Sequence, residues 1–255
     1  TFTCAYCQNW DTPQVLRATR AAATAVAASP AAIAGEAVRQ RARAVISTYN
    51  EPLITAEWAA DVFDAARAAG LLTGMVSNGH ATPEVLDYLA PRMDLFKVDL
   101  KSFRDREYRR LGGALAPVLE SVRAAHERGL WVEVVTLVVP GLNDDREELR
   151  EIASFLRSVS PDLPWHVTAF HPTYRMTDRD RTPVRTLLDA LEIGRAAGLN
   201  FVYPGNAPGQ GNLESTRCPG CGELLVERHG YRVSCVRIRN GACPGCRARI
   251  PGIWS

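Results

Sequence analysis

Short runs of apolar and β-branched residues alternate with amphipathic stretches of helical period through most of the chain. Strands are predicted at residues 44–49, 71–77, 95–100, 130–139, 165–170 and 200–203. Between them, residue types that begin helices occur at Thr55, Thr82-Pro83, Asp145 with Glu148, and Thr182-Pro183. Repeated βα units of this kind predict a parallel sheet, open or closed into a barrel.

Polar residues follow the predicted strands directly. They are Asn50-Glu51, Ser77-Asn78-Gly79, Asp99-Leu100-Lys101, Pro140-Gly141 with Asn143-Asp144, His171-Pro172 and Gly205-Asn206. Right-handed crossovers bring the carboxyl ends of parallel strands to one rim, where α/β proteins build their sites. Each group alone is typical of a turn or a surface ion pair, but their repetition at successive strand ends indicates a site.

The pattern changes after Asn206. Residues 207–211 are a Pro/Gly linker, and from Cys218 the chain is rich in turns, with a short hairpin around His229-Gly230. We therefore predict two domains, residues 1–211 and 212–255. The alanine-rich stretch 18–34 is predicted to be a surface helix and loop.

Composition excludes some classes of partner. The formal net charge is +2, and the arginines are scattered among acidic residues, so no nucleic-acid partner is expected. No apolar run approaches the roughly 20 residues that cross a bilayer, so no membrane association is expected.

The seven cysteines lie only at the two ends of the chain. Cys4 and Cys7 open it, and the other five follow residue 217. An odd number arranged in CxxC pairs is typical of metal ligation in a reducing compartment, and we expect a cytoplasmic protein.

The opening segment is Thr3-Cys4-Ala5-Tyr6-Cys7-Gln8-Asn9-Trp10. A CxxC pair alone fits a redox dithiol, a zinc knuckle or a cluster site. With an aromatic residue before the second cysteine and βα units after it, the segment resembles the latter part of CxxxCxxC. That is the signature of the radical S-adenosylmethionine (SAM) superfamily. There, three thiolates hold a [4Fe–4S] cluster and leave one iron open for the amino and carboxylate groups of SAM.

The resemblance extends over nearly the whole chain. The polar groups after the strands fall in the order seen in pyruvate formate-lyase activating enzymes. The Cys-Gln-Asn-Trp-Asp opening, the Tyr-Asn-Glu-Pro segment and the CPxC pairs resemble, more narrowly, the radical SAM member of the AmmeMemoRadiSam system. The resemblance implies a partial (β/α) barrel. It also places the family's first cysteine immediately before Thr1 and the first barrel strand upstream.

The resemblance also implies roles for individual residues. Cys4 and Cys7 would ligate the cluster. Asn50 and Glu51 stand where the activating enzymes have Gly-Glu, and Glu51 would accept hydrogen bonds from the SAM ammonium. The other residues that the resemblance places at SAM are Tyr6 against the adenine, Ser77 and Asn78 near the ribose or methionine, Asp99, Lys101 facing the carboxylate, and His171.

One position departs from the family pattern. The activating enzymes carry an arginine near SAM on the fifth barrel strand, where this chain has Val135. Glu133 and Thr136 are the neighbouring polar residues, so different carboxylate contacts and a different substrate end are expected. A glycyl-radical substrate is therefore not assumed.

The closing cysteines form two matching knuckles, Cys218-Pro-Gly-Cys221 and Cys243-Pro-Gly-Cys246. Each presents two thiolates from one turn, and together they complete a tetrahedral S₄ site. Zinc is favoured, with rubredoxin-like iron or an auxiliary cluster as alternatives. Cys235 is interpreted as a packed thiol and His229 as a turn residue, neither being a ligand.

Two hypotheses for the function follow. In the first, a reduced cluster cleaves SAM to a 5′-deoxyadenosyl radical, which abstracts hydrogen from an unidentified substrate. The resemblance implies an electron donor and Memo-like and AMMECR-like partners. It also makes a protein one candidate for the substrate. In the second, the chain is a non-catalytic zinc-ribbon binding module on an inert βα scaffold.

Overall fold

The computed structural model describes residues 2–8, 10, 26–207, 213–230 and 232–254. Two compact units divide the chain. Unit 1 comprises Thr1–Asp99, Arg104–Val132 and Pro172–Asp178, and unit 2 comprises Leu100–Phe103, Glu133–His171 and Arg179–Ser255. Most of the predicted linker, and residues 18–25 of the predicted surface helix, lie outside the described residues. The boundary at residues 211/212 stays a prediction.

Unit 1 alternates helices and strands in chain order. Its elements are α1 (Pro30–Arg39), β1 (Ala44–Ser47), α2 (Ala56–Ala68), β2 (Leu72–Ser77), α3 (Pro83–Leu89), β3 (Leu95–Asp99), α4 (Asp105–Leu111) and α5 (Leu115–Glu127). Strands β1, β2 and β3 are parallel, with Ala44 opposite Leu72 and Ser77 opposite Val98. Phe63, Phe96 and Tyr108 are fully buried in the core of this unit.

Unit 2 contains most of β4 (Trp131–Val138), followed by α6 (Arg146–Val159), β5 (Trp165–Ala169), α7 (Val184–Ala196) and β6 (Val202–Gly205). Strands β4, β5 and β6 are parallel. Their core includes Trp165, Ile152 and Phe170, all fully buried. Three antiparallel strands then follow, β7 (Thr216–Arg217), β8 (Leu224–His229) and β9 (Arg232–Val236).

The predicted fold class is confirmed. Among the described residues, six parallel strands, three in each unit, alternate with helices in chain order, and each overlaps its predicted run. The hairpin predicted around His229-Gly230 is the connection between β8 and β9. Within the described residues, no helix combines the length and the apolar character needed to span a membrane.

The predicted helix starts are partly confirmed. Thr82 accepts a hydrogen bond from Val85 N, and Asp145 accepts from the N–H groups of the first turn of α6. Thr55 makes no cap, because a 3₁₀ turn at Pro52–Thr55 precedes α2. Thr182 makes none either, since its hydroxyl donates to Val138 O and accepts from Phe170 N, which ties β4 to the end of β5.

Candidate active site and metal centre

The loop that carries Cys4 and Cys7 is fixed by main-chain hydrogen bonds. Thr3 N donates to Leu111 O at 3.0 Å, and Arg175 N donates to Ala5 O at 3.0 Å. Cys7 N donates to Cys4 O at 3.2 Å, which closes the turn between the two cysteines. Both side chains are half-buried. The turn therefore presents two thiols from a backbone held on both sides.

Phe2 anchors the same loop. Its ring meets His80 and Tyr108 edge-on, each with centroids 5.8 Å apart. A Cβ at Gly113 would lie only 2.3 Å from Phe2 Cε1, so only glycine admits the ring at this approach. Phe2 and Gly113 were not predicted as site residues. Nothing in the apolar pattern of the sequence distinguishes Phe2 from a phenylalanine of the core.

A cavity of about 450 Å³ opens beside the cysteine loop. That is within the usual volume of a small-molecule site. Its walls include both cysteines, the Tyr49–Glu51 segment and two residues of the segment after His171. The lining residues are Phe2, Thr3, Cys4, Ala5, Cys7, Trp10, Tyr49, Asn50, Glu51, Ile54, Thr55, Tyr174 and Arg175. Cys4, Cys7, Asn50 and Glu51 therefore line one cavity.

Aromatic and cationic side chains form another part of the wall. Trp10 stacks on Tyr174 with ring centroids 5.2 Å apart and planes 11° apart. The Arg175 guanidinium lies 5.1 Å from the Tyr174 ring centroid. Sequence reasoning missed Tyr174 and Arg175, which lie in an irregular segment that no periodicity marks.

Glu51 is almost completely buried and holds the end of β2 in place. Its Oε1 accepts from Ser77 Oγ at 2.7 Å and from Leu53 N at 3.2 Å, and its Oε2 accepts from Asn78 N at 2.8 Å. A carboxylate has about four lone-pair directions. Three are used internally, so one on Oε2 remains for a donor in the cavity.

Backbone strain accompanies this carboxylate. Tyr49 and Asn50 have positive φ angles of 63° and 51°, in the left-handed region that non-glycine residues seldom occupy. The two residues lead directly into Glu51 on the cavity wall. Such strain is typical of functional sites, where the surrounding contacts over-determine the backbone.

The other residues that the resemblance places at SAM do not line the cavity. Tyr6 is 4% exposed and is not among the residues that line the cavity. Asp99 ends β3 in unit 1 and is half-buried, and Lys101 and His171 belong to unit 2.

Lys101 and His171 have hydrogen-bond contacts within unit 2. Lys101 O accepts from Asn143 Nδ2 at 2.8 Å, and His171 Nε2 lies 3.4 Å from Asn206 O. Their roles at SAM stay predictions.

The polar residues beside Val135 have partners of their own. Glu133 Oε2 lies 2.8 Å from His166 Nε2, and Thr136 Oγ1 accepts from Trp165 Nε1 at 3.0 Å. Thr136 is fully buried on the same side of β4 as Val134 and Val138. Because its hydroxyl is committed inside the core, Thr136 does not offer a ligand contact.

The closing cysteines converge as predicted. Ligand atoms of Cys218, Cys221, Cys243 and Cys246 all lie within 4.8 Å of one another. The Cys218–Cys246 and Cys221–Cys243 sulfurs are 3.5 and 3.6 Å apart. Tetrahedral zinc with Zn–S bonds of about 2.3 Å requires S–S separations of about 3.8 Å. The four thiols therefore fit a zinc ion with little movement.

The two knuckles have the same main-chain pattern. Gly222 N donates to Cys218 O at 2.8 Å, and Arg247 N donates to Cys243 O at 2.9 Å. Cys218 and Cys243 are buried in a small core with Leu225, Val226 and Ile250. Cys235 lies outside the four-cysteine group, half-buried on β9, and exposed His229 is also outside it.

The Cys221 thiol resists ionisation. A hydrogen bond from the Glu223 backbone lowers the pKa of Cys221, but hydrogen bonds among the four thiols and burial raise it, to about 12 in total. Four thiolates at this spacing repel one another unless a cation compensates them. The donor set therefore has the chemistry of a metal site, in which the bound ion displaces the protons.

Tyr203 on β6 connects the parallel strands of unit 2 to the cysteine-bearing segment. Its hydroxyl lies 2.9 Å from Thr216 Oγ1, which also accepts from Arg228 Nη1 at 2.7 Å. Burial raises the pKa of the Tyr203 phenol, and the hydrogen bond with Thr216 opposes that rise. The phenol therefore stays protonated at neutral pH and acts as a neutral hydrogen-bonding group.

Fold and site together define a βα protein with a cysteine-lined cavity beside the segment that follows β1. The profile of the Radical SAM superfamily matches residues 1–156. The chain belongs to the radical SAM superfamily.

One relative in sequence and two solved structures are also similar to this chain. The chain is 33% identical over 252 residues to the uncharacterized protein MJ0808 of Methanocaldococcus jannaschii, covering 98% of this chain and 74% of that protein. A crystal structure of a domain of a pyruvate-formate lyase-activating enzyme from Bacteroides vulgatus is similar with a TM-score of 0.54 at 20% identity, covering 63% of this chain and 98% of that one. Streptococcus suis SuiB bound to its precursor peptide SuiA gives 0.60 at 15% identity, covering 80% of this chain and 46% of that one. At these identities the two solved structures support the fold.

Proposed function

We propose that this protein is an activase-like radical SAM oxidoreductase of the reducing cytoplasm. In this proposal a [4Fe–4S] cluster, reduced by an electron donor, cleaves SAM, and the 5′-deoxyadenosyl radical abstracts hydrogen from a substrate. A protein is the first substrate candidate, and Memo-like and AMMECR-like proteins are the first candidate partners. The observation that carries the proposal is the cavity shared by Cys4, Cys7 and the buried carboxylate of Glu51.

The residues present fit both groups. Cys4 and Cys7 offer two of the three soft thiolate ligands that a radical SAM cluster takes, and both border the cavity. When bound, the cluster supplies the electron that breaks a carbon–sulfur bond of SAM. The chain's own residues bind and orient SAM, since a single free lone pair on Glu51 Oε2 matches one N–H of its ammonium group.

The aromatic wall supports the same function. Trp10, Tyr174 and the Arg175 guanidinium border the cavity with flat faces that exclude water from a bound ligand. Water exclusion strengthens the hydrogen bond to Glu51 and protects a reactive radical from side reactions. The second metal site, at the four closing cysteines, has a structural role in this proposal, with zinc as the favoured ion.

The test compares two single cysteine variants of the full-length protein, reconstituted anaerobically with iron and sulfide. In the parent, the electron paramagnetic resonance signal after dithionite reduction should change when SAM is added. Cys7→Ser should lose the signal, whereas Cys235→Ser, which removes a thiol outside both groups, should keep it and its response to SAM. A parent that holds iron but shows no response to SAM would favour the non-catalytic binding module.

A further inference from the structure

Strand β9 is the outer strand of the small antiparallel sheet, and its side chains bury little. Val233 and Val236 are 52% and 57% exposed, and Cys235 is the one half-buried residue of the strand. The strand is held to β8 through the main chain, with Val226 opposite Val236. An exposed apolar edge of this kind is a template for pairing with another extended chain.

The main chain of Val236 points away from β8. Arg237 N donates inward to Leu225 O at 2.7 Å. Because the peptide unit is planar and trans, the Val236 carbonyl points in the opposite direction. In an extended strand the N–H and C=O of one residue lie on the same side, so Val236 offers both a donor and an acceptor to a further strand.

The surroundings of β9 are strongly basic. Residues 212–255 contain seven arginines, three glutamates and neither lysine nor aspartate, a formal excess of four positive charges, while the whole chain has a net charge of +2. Four exposed guanidinium groups there, those of Arg232, Arg239, Arg247 and Arg249, have no hydrogen-bond or ion-pair partner among the described residues. Arg239 and Arg249 both pair with Ala242, directly after β9.

We propose that β9 is a docking edge for an extended acidic polypeptide segment. The segment adds a fourth strand to the sheet by main-chain hydrogen bonds at Val236, places apolar side chains against the exposed valines, and pairs its carboxylates with Arg232 and Arg239. Guanidinium groups bind carboxylates through paired, directional hydrogen bonds. Recognition by strand addition supplies affinity from the main chain and specificity from the side chains.

Two other occupants fit the edge less well. A second copy of this chain would bring the same arginines face to face, and edge charges of like sign oppose such pairing. A nucleic acid would use the guanidinium groups but neither the main-chain donor and acceptor of Val236 nor the two valines. Single-strand binding also relies on stacking on aromatic rings. Apart from the His229 imidazole, Trp254 is the one exposed aromatic ring in the described part of residues 212–255, and its Nε1 donates to Ile250 O.

The experiment measures fluorescence anisotropy of three labelled probes with the full zinc-supplied chain at low ionic strength. The probes are a nine-residue peptide of alternating Glu and Val, its Lys-Val counterpart, and a twelve-nucleotide single-stranded RNA. No SAM or cluster is required, so the result is independent of the proposed function. The acidic peptide should bind at least about tenfold more tightly than the basic one, as carboxylate–guanidinium pairing predicts. Equal binding of the two peptides, or binding of the RNA alone, would overturn the proposal.

Variants separate strand addition from simple charge attraction. Arg232→Glu combined with Arg239→Glu should weaken the acidic peptide by about tenfold or more. Arg185→Glu combined with Arg195→Glu, two exposed residues of α7, is the charge-matched control and should change binding less than about threefold. Val236→Pro removes an outward N–H without removing a bond to β8, so it should abolish peptide binding while circular dichroism and zinc content stay unchanged. Hydrogen exchange at the Val236 amide should slow on binding in the parent, and unchanged exchange would refute strand addition even if charge attraction remained.

Discussion

Replacing Glu51 with glutamine removes the charge of the buried carboxylate that borders the cavity. The carboxylate accepts from Ser77 and Leu53 on Oε1 and from Asn78 N on Oε2. A glutamine amide has one acceptor oxygen, so in either orientation its NH₂ group faces at least one of these donors. The unsatisfied donor costs about 1–3 kcal/mol. For a chain of this size that lowers Tm by about 2–4 °C for each kcal/mol.

The same substitution also removes the acceptor that we propose for the SAM ammonium group. A hydrogen bond to a charged group contributes about 1.5–3 kcal/mol, which corresponds to about a tenfold to a hundredfold loss of SAM affinity. Both a lower Tm and weaker SAM binding are therefore expected, and they must be measured separately.

Glu148→Gln is the matched control. Glu148 is 3% exposed, accepts from Ser102 Oγ at 2.6 Å and Phe103 N at 2.7 Å, and does not line the cavity. Calorimetric unfolding and anaerobic equilibrium dialysis with SAM should show reduced stability in both variants but weakened SAM binding in Glu51→Gln alone. Equal SAM affinity in the parent and Glu51→Gln would refute the role of Glu51 at the ammonium group. Equal losses of affinity in the two variants would show that destabilisation, and not the contact, is the cause.

Three further substitutions test other parts of the structure. Cys246→Ser should lower zinc content and make residues 212–255 sensitive to limited proteolysis, because metal binding supplies much of the folding energy of so small a core. Unchanged protease resistance would contradict a structural metal. Tyr203→Phe should cost about 0.5–1.5 kcal/mol in urea unfolding, since it deletes the hydroxyl that meets Thr216 but keeps the ring; no change would mean that this contact contributes nothing. Asn143→Ala should lower the free energy of unfolding further, by about 2–4 kcal/mol, because this fully buried amide makes three hydrogen bonds to main-chain atoms. A decrease smaller than that of Tyr203→Phe would show that water replaces these hydrogen bonds.

The strands could be predicted because their apolar runs are continuous and end at polar residues. The closing metal site could be predicted because each CPxC turn fixes two thiols locally, so that only one long-range contact, between the turns, was left open. The buried position of Thr136 could also be predicted. Thr136 lies two residues from Val134 and from Val138, so a strand places all three side chains on the same face, and all three are buried.

The rest depends on contacts between distant residues. Glu51 is 26 positions from Ser77, and no local pattern shows that its carboxylate is already bound there. Tyr174 and Arg175 reach the cavity through a main-chain hydrogen bond to Ala5, which side-chain patterns do not encode. Thr55 and Thr182 have ordinary helix-starting contexts, but a 3₁₀ turn precedes α2, and the Thr182 hydroxyl binds β4 and the end of β5 instead.

The central claim is that the chain cleaves SAM reductively, and its product can be measured directly. The full-length protein, reconstituted with iron and sulfide and treated anaerobically with dithionite and SAM, should release 5′-deoxyadenosine and methionine, detected by liquid chromatography with mass spectrometry. Cys235→Ser should release as much as the parent, and Cys7→Ser should release none above the protein-free background. A parent that binds SAM in its cavity yet releases no 5′-deoxyadenosine above that background would contradict the account.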